Sequence, residues 1–475
     1  MNTQALAGTI IIVAAFGTGI GLRIWFNDAP TLNLATRLTD FESEELAREI
    51  GEVVSMDGPV THFSTAVEVE SSNWPRFRGA DYSNIVGSET LLADSWGAGG
   101  PPVVWSMPLS EGHAGVGVWK GLVYLLDYDE ETEGDSLRCF SLATGEEHWR
   151  RGYKSPTKRN HGVSRTVPAI TEDFIVTVGP NCHAMGVERK TGEYLWGIDM
   201  RVQYGTQVPL WYTGQCPVIY EDMAVLAPIG TDVLMAGIDC RTGETLWETP
   251  ALPNWKMSHS SIITMNVMGK DTFVYCADGG VAGVSAEPED RGTLLWHSPV
   301  WSHSVTSPSP VRIDDEHIFV TAGYGGGSMM LKLKDVGGKI EVEQKFELSR
   351  KVFGCEQQTP LFYQDHIFGI LPQDAAALKG QFVCLNTDGE VVWSSGKPNR
   401  FGIGPFLAAD DKFLLLDDNG TLTMLRASLT GYEQLAQHAV LKGHSAWAPM
   451  AMVDGKLILR DSKTLACLDL SRAAN

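Results

Sequence analysis

The chain has 475 residues, and 37 Lys and Arg against 58 Asp and Glu give it a net charge of −21 at pH 7. A surface this acidic is repelled by phosphate backbones and by anionic membrane surfaces, which argues against nucleic-acid binding and electrostatic membrane association. Fifty glycines and 9% aromatic residues are typical of a turn-rich all-β protein.

An apolar segment opens the chain. Residues 5–22, ALAGTIIIVAAFGTGIGL, are apolar or small, and the first charged side chain is Arg23. At about 1.5 Å per residue this segment is long enough to cross a bilayer core, and it lacks the basic start and the cleavage site of a signal peptide. Residues 1–26 are therefore predicted to be an uncleaved transmembrane anchor, in preference to a cleaved signal peptide.

Residues 27–71 are predicted to be a linker. Within it, LTDFESEELAREIGEVV is predicted to form a short amphipathic helix over about residues 38–54. Thr39 and Glu42 match the capping box that begins many helices, and apolar residues follow at helical spacing. The apolar face of this helix is expected to pack on the rest of the chain or on a partner.

A short motif recurs at nearly constant spacing: ATGEEHW ends at Trp149, KTGEYLW at Trp196 and RTGETLW at Trp247. Weaker copies end at Trp296 and Trp393. The turn glycines, on average about 48 residues apart, are Gly145, Gly192, Gly243, Gly292, Gly338, Gly389 and Gly431. A catalytic motif has no reason to recur in this way, whereas a structural unit does.

Each copy has the pattern of a β-hairpin. Apolar runs such as DFIVTVG and DMAVLAP precede the glycine, and strands of this length bounded by Gly, Asp and Asn are typical of hairpins. The glycine supplies the positive φ that a tight turn needs, and the Trp after it is predicted to pack between neighbouring units. The motif is therefore interpreted as structural.

The two ends of the repeat region each lack what the other has. At the C-terminus, GKLILRDSKTLACLDL supplies two strands with no Trp strand after them, and PPVVWSMPL supplies a Trp105 strand with no hairpin before it. Pairing these segments closes a ring and protects the sheet edges. Residues 72–475 are therefore predicted to form an all-β, eight-bladed β-propeller of four-stranded antiparallel blades, closed by an N-terminal strand that completes the last blade.

These repeats resemble the pyrroloquinoline-quinone (PQQ) repeats of a β-propeller family of bacterial envelope proteins. The TGE-x-x-W copies and the segment NWPRFRG at residues 73–79 carry the resemblance, which covers about residues 72–470. The family includes quinone-dependent dehydrogenases and non-enzymatic scaffolds. The resemblance implies a propeller outside the cytoplasm. The chain is therefore predicted to be a single-pass inner-membrane protein with a periplasmic propeller and with other envelope or membrane-complex proteins as partners.

Polar residues lead into the predicted innermost strands, and propellers bind ligands at the channel mouth that these strands surround. The candidate ligand-binding residues at these positions are His113, His161, Gln215, His259, His303, Glu356, Gln357 and His444. Ring geometry is expected to bring them towards one opening. Structural caps at the strand starts are the favoured interpretation, a small-ligand or quinone site is the second, and a metal site is the least favoured.

A quinone enzyme of this family has features that the chain lacks. The resemblance implies that PQQ would lie between a Trp and a disulfide of adjacent cysteines, with Ca²⁺ held by Glu and Asn beside an Asp base. None of the eight cysteines here is adjacent to another, and they are interpreted as buried core residues, with disulfide pairing left open. The acidic run DYDEETEGD at residues 127–135 is interpreted as a solvated loop, not a Ca²⁺ site.

The sequence therefore predicts a membrane-anchored periplasmic propeller that acts as a protein-interaction scaffold, with no catalytic residue and no cofactor assigned. The alternative is a PQQ-binding oxidoreductase or redox sensor, with PQQ and Ca²⁺ at the His-lined mouth.

Overall fold

Eight antiparallel sheets, the blades, follow one another along the chain. The computed structural model describes residues 53–472 apart from Ser88 and His161. In blades 1 to 7 the strands pair in chain order, so the first strand lies at the inner edge of each repeat unit. First strands of several neighbouring blades contact one another, which places them around a central channel.

Two strands precede the first hairpin repeat: β1 (Val60–His62) and β2 (Val103–Pro108). The strands of blades 1 to 4 are β3 (Gly117–Trp119), β4 (Leu122–Asp129), β5 (Gly134–Ser141), β6 (Glu147–Lys154), β7 (Ala169–Ile170), β8 (Phe174–Val178), β9 (His183–Glu188), β10 (Tyr194–Asp199), β11 (Val218–Tyr220), β12 (Met223–Leu226), β13 (Val233–Asp239), β14 (Thr245–Pro250), β15 (Ile263–Val267), β16 (Lys270–Ala277), β17 (Gly280–Ser285) and β18 (Leu294–Ser298). The strands of blades 5 to 8 are β19 (Val311–Arg312), β20 (His317–Thr321), β21 (Gly327–Val336), β22 (Lys339–Ser349), β23 (Leu361–Tyr363), β24 (His366–Ile370), β25 (Phe382–Asn386), β26 (Val391–Ser394), β27 (Phe406–Ala409), β28 (Lys412–Leu416), β29 (Thr421–Arg426), β30 (Gln434–Ala439), β31 (Ala451–Val453), β32 (Lys456–Arg460) and β33 (Thr464–Asp469).

Blade 8 is completed by the N-terminal strand. Its sheet order is β2-β33-β32-β31, and Trp105 of β2 lies opposite Cys467 of β33. The outer edge that the C-terminal hairpin would leave open is therefore paired, and the ring is closed. The predicted eight-bladed propeller of four-stranded blades, closed by an N-terminal strand, is confirmed.

The recurring Trp and Gly meet at the boundaries between blades. A Cβ atom placed on Gly192 of blade 2 would lie 2.7 Å from the ring of Trp149 of blade 1, and Gly243 would likewise meet Trp196 of blade 2. Gly145 with Trp105 and Gly292 with Trp247 repeat the arrangement, and at Gly389 the partner ring is Phe346. No side chain fits between turn and ring, so the position requires glycine for space as well as for its positive φ. The weaker copies Gly338 and Gly431 have open space around them.

The segment before the blades contributes two features to the propeller, an extra strand on blade 1 and a segment that crosses the channel. Strand β1 pairs with β6, so blade 1 has five strands, and Met56 just before it is buried. Residues 72–86, which we call the plug, then bond to seven of the eight blades. The bonded partners lie in or beside the first strands, at Val118, Ile170, Ile219, Thr264, Thr359, Phe406 and Asp454. A segment with partners all around the ring must lie across the channel.

Arg78 is the central anchor of the plug. Its guanidinium donates to the carbonyl oxygens of Thr359 and Pro360, at 2.9 Å each, and to those of Tyr82 and Ser83 within the plug, at 2.7 and 3.1 Å. Arg78 is buried, and burial lowers its pKa to about 9. All three nitrogens of this buried cation therefore donate to carbonyl oxygens, which fixes the plug against blade 6.

Within the described residues, no helix is long and apolar enough to span a membrane. The α-helix α1 (Met200–Tyr204) has 5 residues and the 3₁₀ helix Ala376–Leu378 has 3, against the ~20 that a bilayer core requires. This finding corrects the predicted localisation as a single-pass inner-membrane protein with a periplasmic propeller. The predicted anchor at residues 1–26 and the predicted helix at about 38–54, except its last two residues, lie outside the described part of the chain.

Candidate functional site

A cavity of about 430 Å³, which we call the cup, opens at one end of the channel. Most of its lining comes from loops that connect the last strand of one blade to the first strand of the next. Phe77 of the plug also lines it, so the plug closes the channel beneath the cup. The side chains that define its chemistry are Phe77, Arg165, Trp211, His259, Tyr324, Glu356 and Trp447.

Four of the predicted site residues line the cup: His113, His259, Glu356 and Gln357. They come from three different inter-blade loops, since Glu356 and Gln357 share one, and the ring brings them to one opening although as many as 244 positions separate them along the sequence. Their part in ligand binding stays a prediction.

The other predicted residues are placed differently. Gln215 is fully buried, and its side-chain amide donates to the carbonyl oxygen of Ala227 at 3.0 Å, as a structural cap does. His303 packs edge-on against Trp301, with ring centroids 4.3 Å apart, and does not line the cup. His444 lines a second cavity of about 390 Å³, which shares His113 and Trp447 with the cup. His161 lies outside the described residues.

The cup carries few charges. Arg165 donates to the carbonyl oxygens of Asn160 and Gly162, at 2.7 and 3.2 Å, which holds its guanidinium in the wall. Burial, and next the charge of Arg165, lower the pKa of His259 to about 4, so this imidazole is neutral at pH 7. Burial raises the pKa of the Glu356 carboxyl. The cup therefore has one guanidinium and one carboxyl among neutral groups.

Aromatic rings form two stacked pairs in the cup wall. Trp211 and Tyr324 have centroids 6.0 Å apart at an interplanar angle of 27°, and His113 and Trp447 have centroids 5.1 Å apart at 29°. Sequence reasoning missed Arg165 and all three of the non-histidine rings. A signal was present, because Trp211 and Trp447 are tryptophans that fall outside the repeat register and so have no inter-blade glycine to pack on.

A buried polar cluster lies between blades 1 and 2. The Tyr153 hydroxyl donates to Asp135 at 2.6 Å, while Arg201 donates to Asp199 at 2.8 Å and its guanidinium lies 2.9 Å from His183 Nε2. The acidic run at residues 127–135 was predicted to be a solvated loop, and this is wrong at its ends. Asp127 and Asp135 lie in strands β4 and β5 and are buried, because the hairpin extends into the run from both sides and leaves only its middle exposed.

We expect Asp135 to make the protein lose stability as the pH rises. Burial raises the pKa of its carboxyl from 3.8 to about 6, so the folded state holds a proton that the unfolded state has released. This contribution is lost between pH 4 and 6 and amounts to about 2–3 kcal/mol. Urea unfolding of the wild type and of Asp135→Asn across this range should show the loss in the wild type only.

The neighbouring Asp199 acts in the opposite direction. Burial opposes its ionisation, but hydrogen bonds from His183 and Arg201 outweigh burial and hold the pKa of Asp199 below its ordinary value. Its stabilisation is present above pH 4 and is lost as the pH falls. Asp199 is present in both the wild type and Asp135→Asn. Subtracting their curves of unfolding free energy against pH therefore isolates the contribution of Asp135. Asp129→Asn, at the half-exposed end of the same hairpin, is the control, and an equal change there would contradict the assignment.

The eight cysteines are free and buried. Among them Cys216 lines the cup, and burial raises the pKa of its thiol to about 11. A thiol with so high a pKa is protonated at neutral pH and is a poor nucleophile.

An eight-bladed ring of four-stranded blades is the fold of the PQQ-repeat propellers. Residues 133–370 match the sequence model of the family described as outer membrane protein assembly factor BamB, and the chain belongs to that family. No curated protein sequence matches the chain.

Solved structures share this fold. A europium-containing methanol dehydrogenase is 11% identical, with a TM-score of 0.56 over 88% of this chain and 91% of that one. The quinohemoprotein alcohol dehydrogenase from Comamonas testosteroni is 10% identical, with a TM-score of 0.55 over 85% and 81%. The computationally designed protein Ika8 is 10% identical, with a TM-score of 0.51 over 78% and 100%. At these identities the likeness concerns the fold alone.

The residues of the cup do not fit PQQ. The quinone is a planar tricarboxylate, and the cup would offer its three carboxylates one guanidinium, Arg165, together with the carboxyl of Glu356. Cys216 has no neighbouring cysteine with which to form the disulfide that family dehydrogenases place over the quinone. In residues 53–472, apart from the two gaps, no three His, Cys, Asp or Glu side chains are grouped to hold a metal ion.

Proposed function

We propose that the protein is a non-catalytic scaffold that docks another protein on its mouth face, the face of the ring on which the cup opens. The observation that carries this proposal is the position of four exposed apolar side chains. Val202, Leu210, Val300 and Tyr324 are between 39% and 52% exposed. Val202 lies in α1 and Leu210 in the loop that follows it, both in the connection before blade 3. Val300 lies in the loop before blade 5, and Tyr324 lies in the β20–β21 loop.

All of these loops emerge on the face that holds the cup. In an antiparallel blade the loop after the fourth strand and the loop between the second and third strands lie at the same end of the sheet. Four of the fourteen large apolar side chains that are exposed in the described residues therefore lie on this face, and exposed apolar groups on one face are typical of a protein interface. The net charge of −21 makes a partner with a basic rim around an apolar centre the best complement. As the family description names an assembly factor, we propose that the partner belongs to an envelope assembly.

The alternative, a PQQ-binding oxidoreductase, draws its support from the family's repeat and from the dehydrogenases that share the fold. We favour the scaffold because the charge of the cup and the isolated Cys216 do not suit the quinone.

Site-specific photocrosslinking tests the scaffold. A photoreactive amino acid at position 202, 210 or 300 of the full-length chain should yield one defined protein adduct. Leu210→Glu should abolish the adduct from position 202, because a charge in an apolar interface is expensive to desolvate. The matched controls are Val336 and Val392, which are similarly exposed but lie at the end of β21, beside the β21–β22 turn, and on an outer strand. The proposal would be contradicted if the control positions gave adducts in equal yield, or if the positions on the mouth face gave no adduct.

A further inference from the structure

Three aromatic residues at the mouth have left-handed backbone conformations. Trp211, Tyr212 and Tyr324 have φ values of 66°, 70° and 50°, a region that bulky side chains avoid. Many of the other non-glycine residues with positive φ lie in the two-residue turns that join first and second strands, as Glu221 and Asp222 do. Such strain persists only where the surrounding structure enforces it, and it is concentrated at functional sites.

The surrounding contacts hold these rings over the cup. The Tyr212 hydroxyl donates to the carbonyl oxygen of Lys158 at 2.6 Å, and the Thr213 amide donates to that of Pro180 at 3.0 Å. On the other side of the mouth, Gln357 donates to the Tyr324 hydroxyl at 3.2 Å. The Trp211–Tyr324 pair therefore joins the loop before blade 3 to blade 5, across the mouth, and presents aromatic surface to the cavity.

The polar groups beside these rings are mainly neutral. Ser261, Ser307 and Gln357 provide hydroxyl and amide groups that both donate and accept hydrogen bonds, and the neutral ring of His259 adds another. Arg165 and Glu356 carry opposite charges, so the cup has no strong excess of either sign. A ligand that suits this lining is itself uncharged and rich in hydroxyl groups.

We propose that the cup binds a neutral saccharide, with a sugar ring packed on Trp211 and Tyr324 and its hydroxyls bonded by the neighbouring polar side chains. The C–H groups on the face of a sugar ring are apolar and slightly positive, and they complement the negative face of an aromatic ring. The hydroxyls exchange hydrogen bonds with serine, amide, guanidinium and carboxyl groups without desolvating a net charge. The cavity of about 430 Å³ lies within the usual range for small-molecule sites. The proposal shares Tyr324 with the protein-docking face, but it does not require that a protein docks there.

Titration of the full-length chain with glucose, N-acetylglucosamine, cellobiose and maltose, followed by tryptophan fluorescence and calorimetry, tests the proposal. At least one of these sugars should bind saturably. Tyr324→Ala and Trp211→Ala should each weaken binding about tenfold, the equivalent of one lost stacking contact. Because the Tyr324 side chain is half exposed, its removal leaves the core intact. The control is Trp255→Ala, a tryptophan in another inter-blade loop that does not line the cup, and it should leave binding unchanged.

Three results would overturn the proposal. The first is no saturable response to any of these sugars at millimolar concentration. The second is sugar binding that Tyr324→Ala leaves unchanged. The third is saturable binding of PQQ with Ca²⁺ in preference to the sugars, which would instead support a quinone site. Photocrosslinking from position 210 is measured separately from sugar binding. One experiment can therefore contradict the docking function or the sugar site without contradicting the other.

Discussion

Replacing Trp149 by alanine is expected to lower the free energy of unfolding by about 4 kcal/mol. The indole is 1% exposed and fills the boundary between blades 1 and 2, where it packs on the turn at Gly192. Removing it leaves a cavity that closes only in part, because strand pairing within blades 1 and 2 holds the surrounding backbone. Equilibrium urea denaturation followed by circular dichroism measures the loss.

Two further variants make the Trp149 prediction specific. Trp247→Ala, at the same repeat position but only partly buried, should lose about half as much stability. Gly192→Ala should be destabilising alone, because its Cβ would lie 2.7 Å from the indole. In the Trp149→Ala background that clash disappears. The double variant should therefore lose less stability than the sum of the two single losses. A loss below about 1 kcal/mol for Trp149→Ala would mean that the ring is not part of the core.

The second large effect is expected at Arg78. Arg78→Ala should lower the free energy of unfolding by about 3–5 kcal/mol, because it leaves the buried carbonyl oxygens of Thr359 and Pro360 without a donor. Arg78→Lys should recover only part of the loss, since an ammonium group cannot match the planar fork of the guanidinium. Hydrogen exchange of the plug amides should accelerate in both variants.

Arg76 provides the matched control on the same segment. Its guanidinium is half-buried and donates to the Tyr82 hydroxyl at 3.0 Å and, weakly, to Ile219 at 3.4 Å. Arg76→Ala should therefore cost about 1 kcal/mol. Equal losses for the two arginines would show that Arg78 does not anchor the plug.

The ring could be predicted from sequence because its signals are local and repeated. A turn glycine followed by Trp at a fixed offset marks five of the hairpins, and the mismatch between Trp105 and the last hairpin predicts the closure that β2 and β33 make. The prediction of a solvated loop was wrong at Asp127 and Asp135, where the signal is neither local nor repeated. Burial of these two residues depends on how far β4 and β5 extend into the acidic run.

The candidate site was predictable only in part. The positions of His113, His259, Glu356 and Gln357 follow from the equivalence of the repeats. Gln215 occupies an equivalent position but turns into its own blade, because Ala227 offers its amide both a donor and an acceptor. The aromatic rings at the mouth belong to loops of unequal length. The spacing of the repeats therefore could not predict their positions.

Arg78 could not be assigned a role from sequence for a different reason. Its partners Thr359 and Pro360 lie 281 and 282 positions away, and no local pattern connects groups at that separation.

The plug also sets an order for events on the ribosome. It is synthesised before every blade that it bonds to, yet Asn84 needs Phe406 and Ser72 needs Asp454, which is 382 positions downstream. Its contacts therefore accumulate as translation proceeds and are complete only when the last blade has emerged. A chain that stops before Asp454 has neither a closed ring nor a fully bonded plug, because it lacks both the partner of Ser72 and the strand β33 that pairs with β2. Such a product exposes the unpaired edge of β2, so interrupted synthesis leaves a surface that a chaperone or protease can recognise.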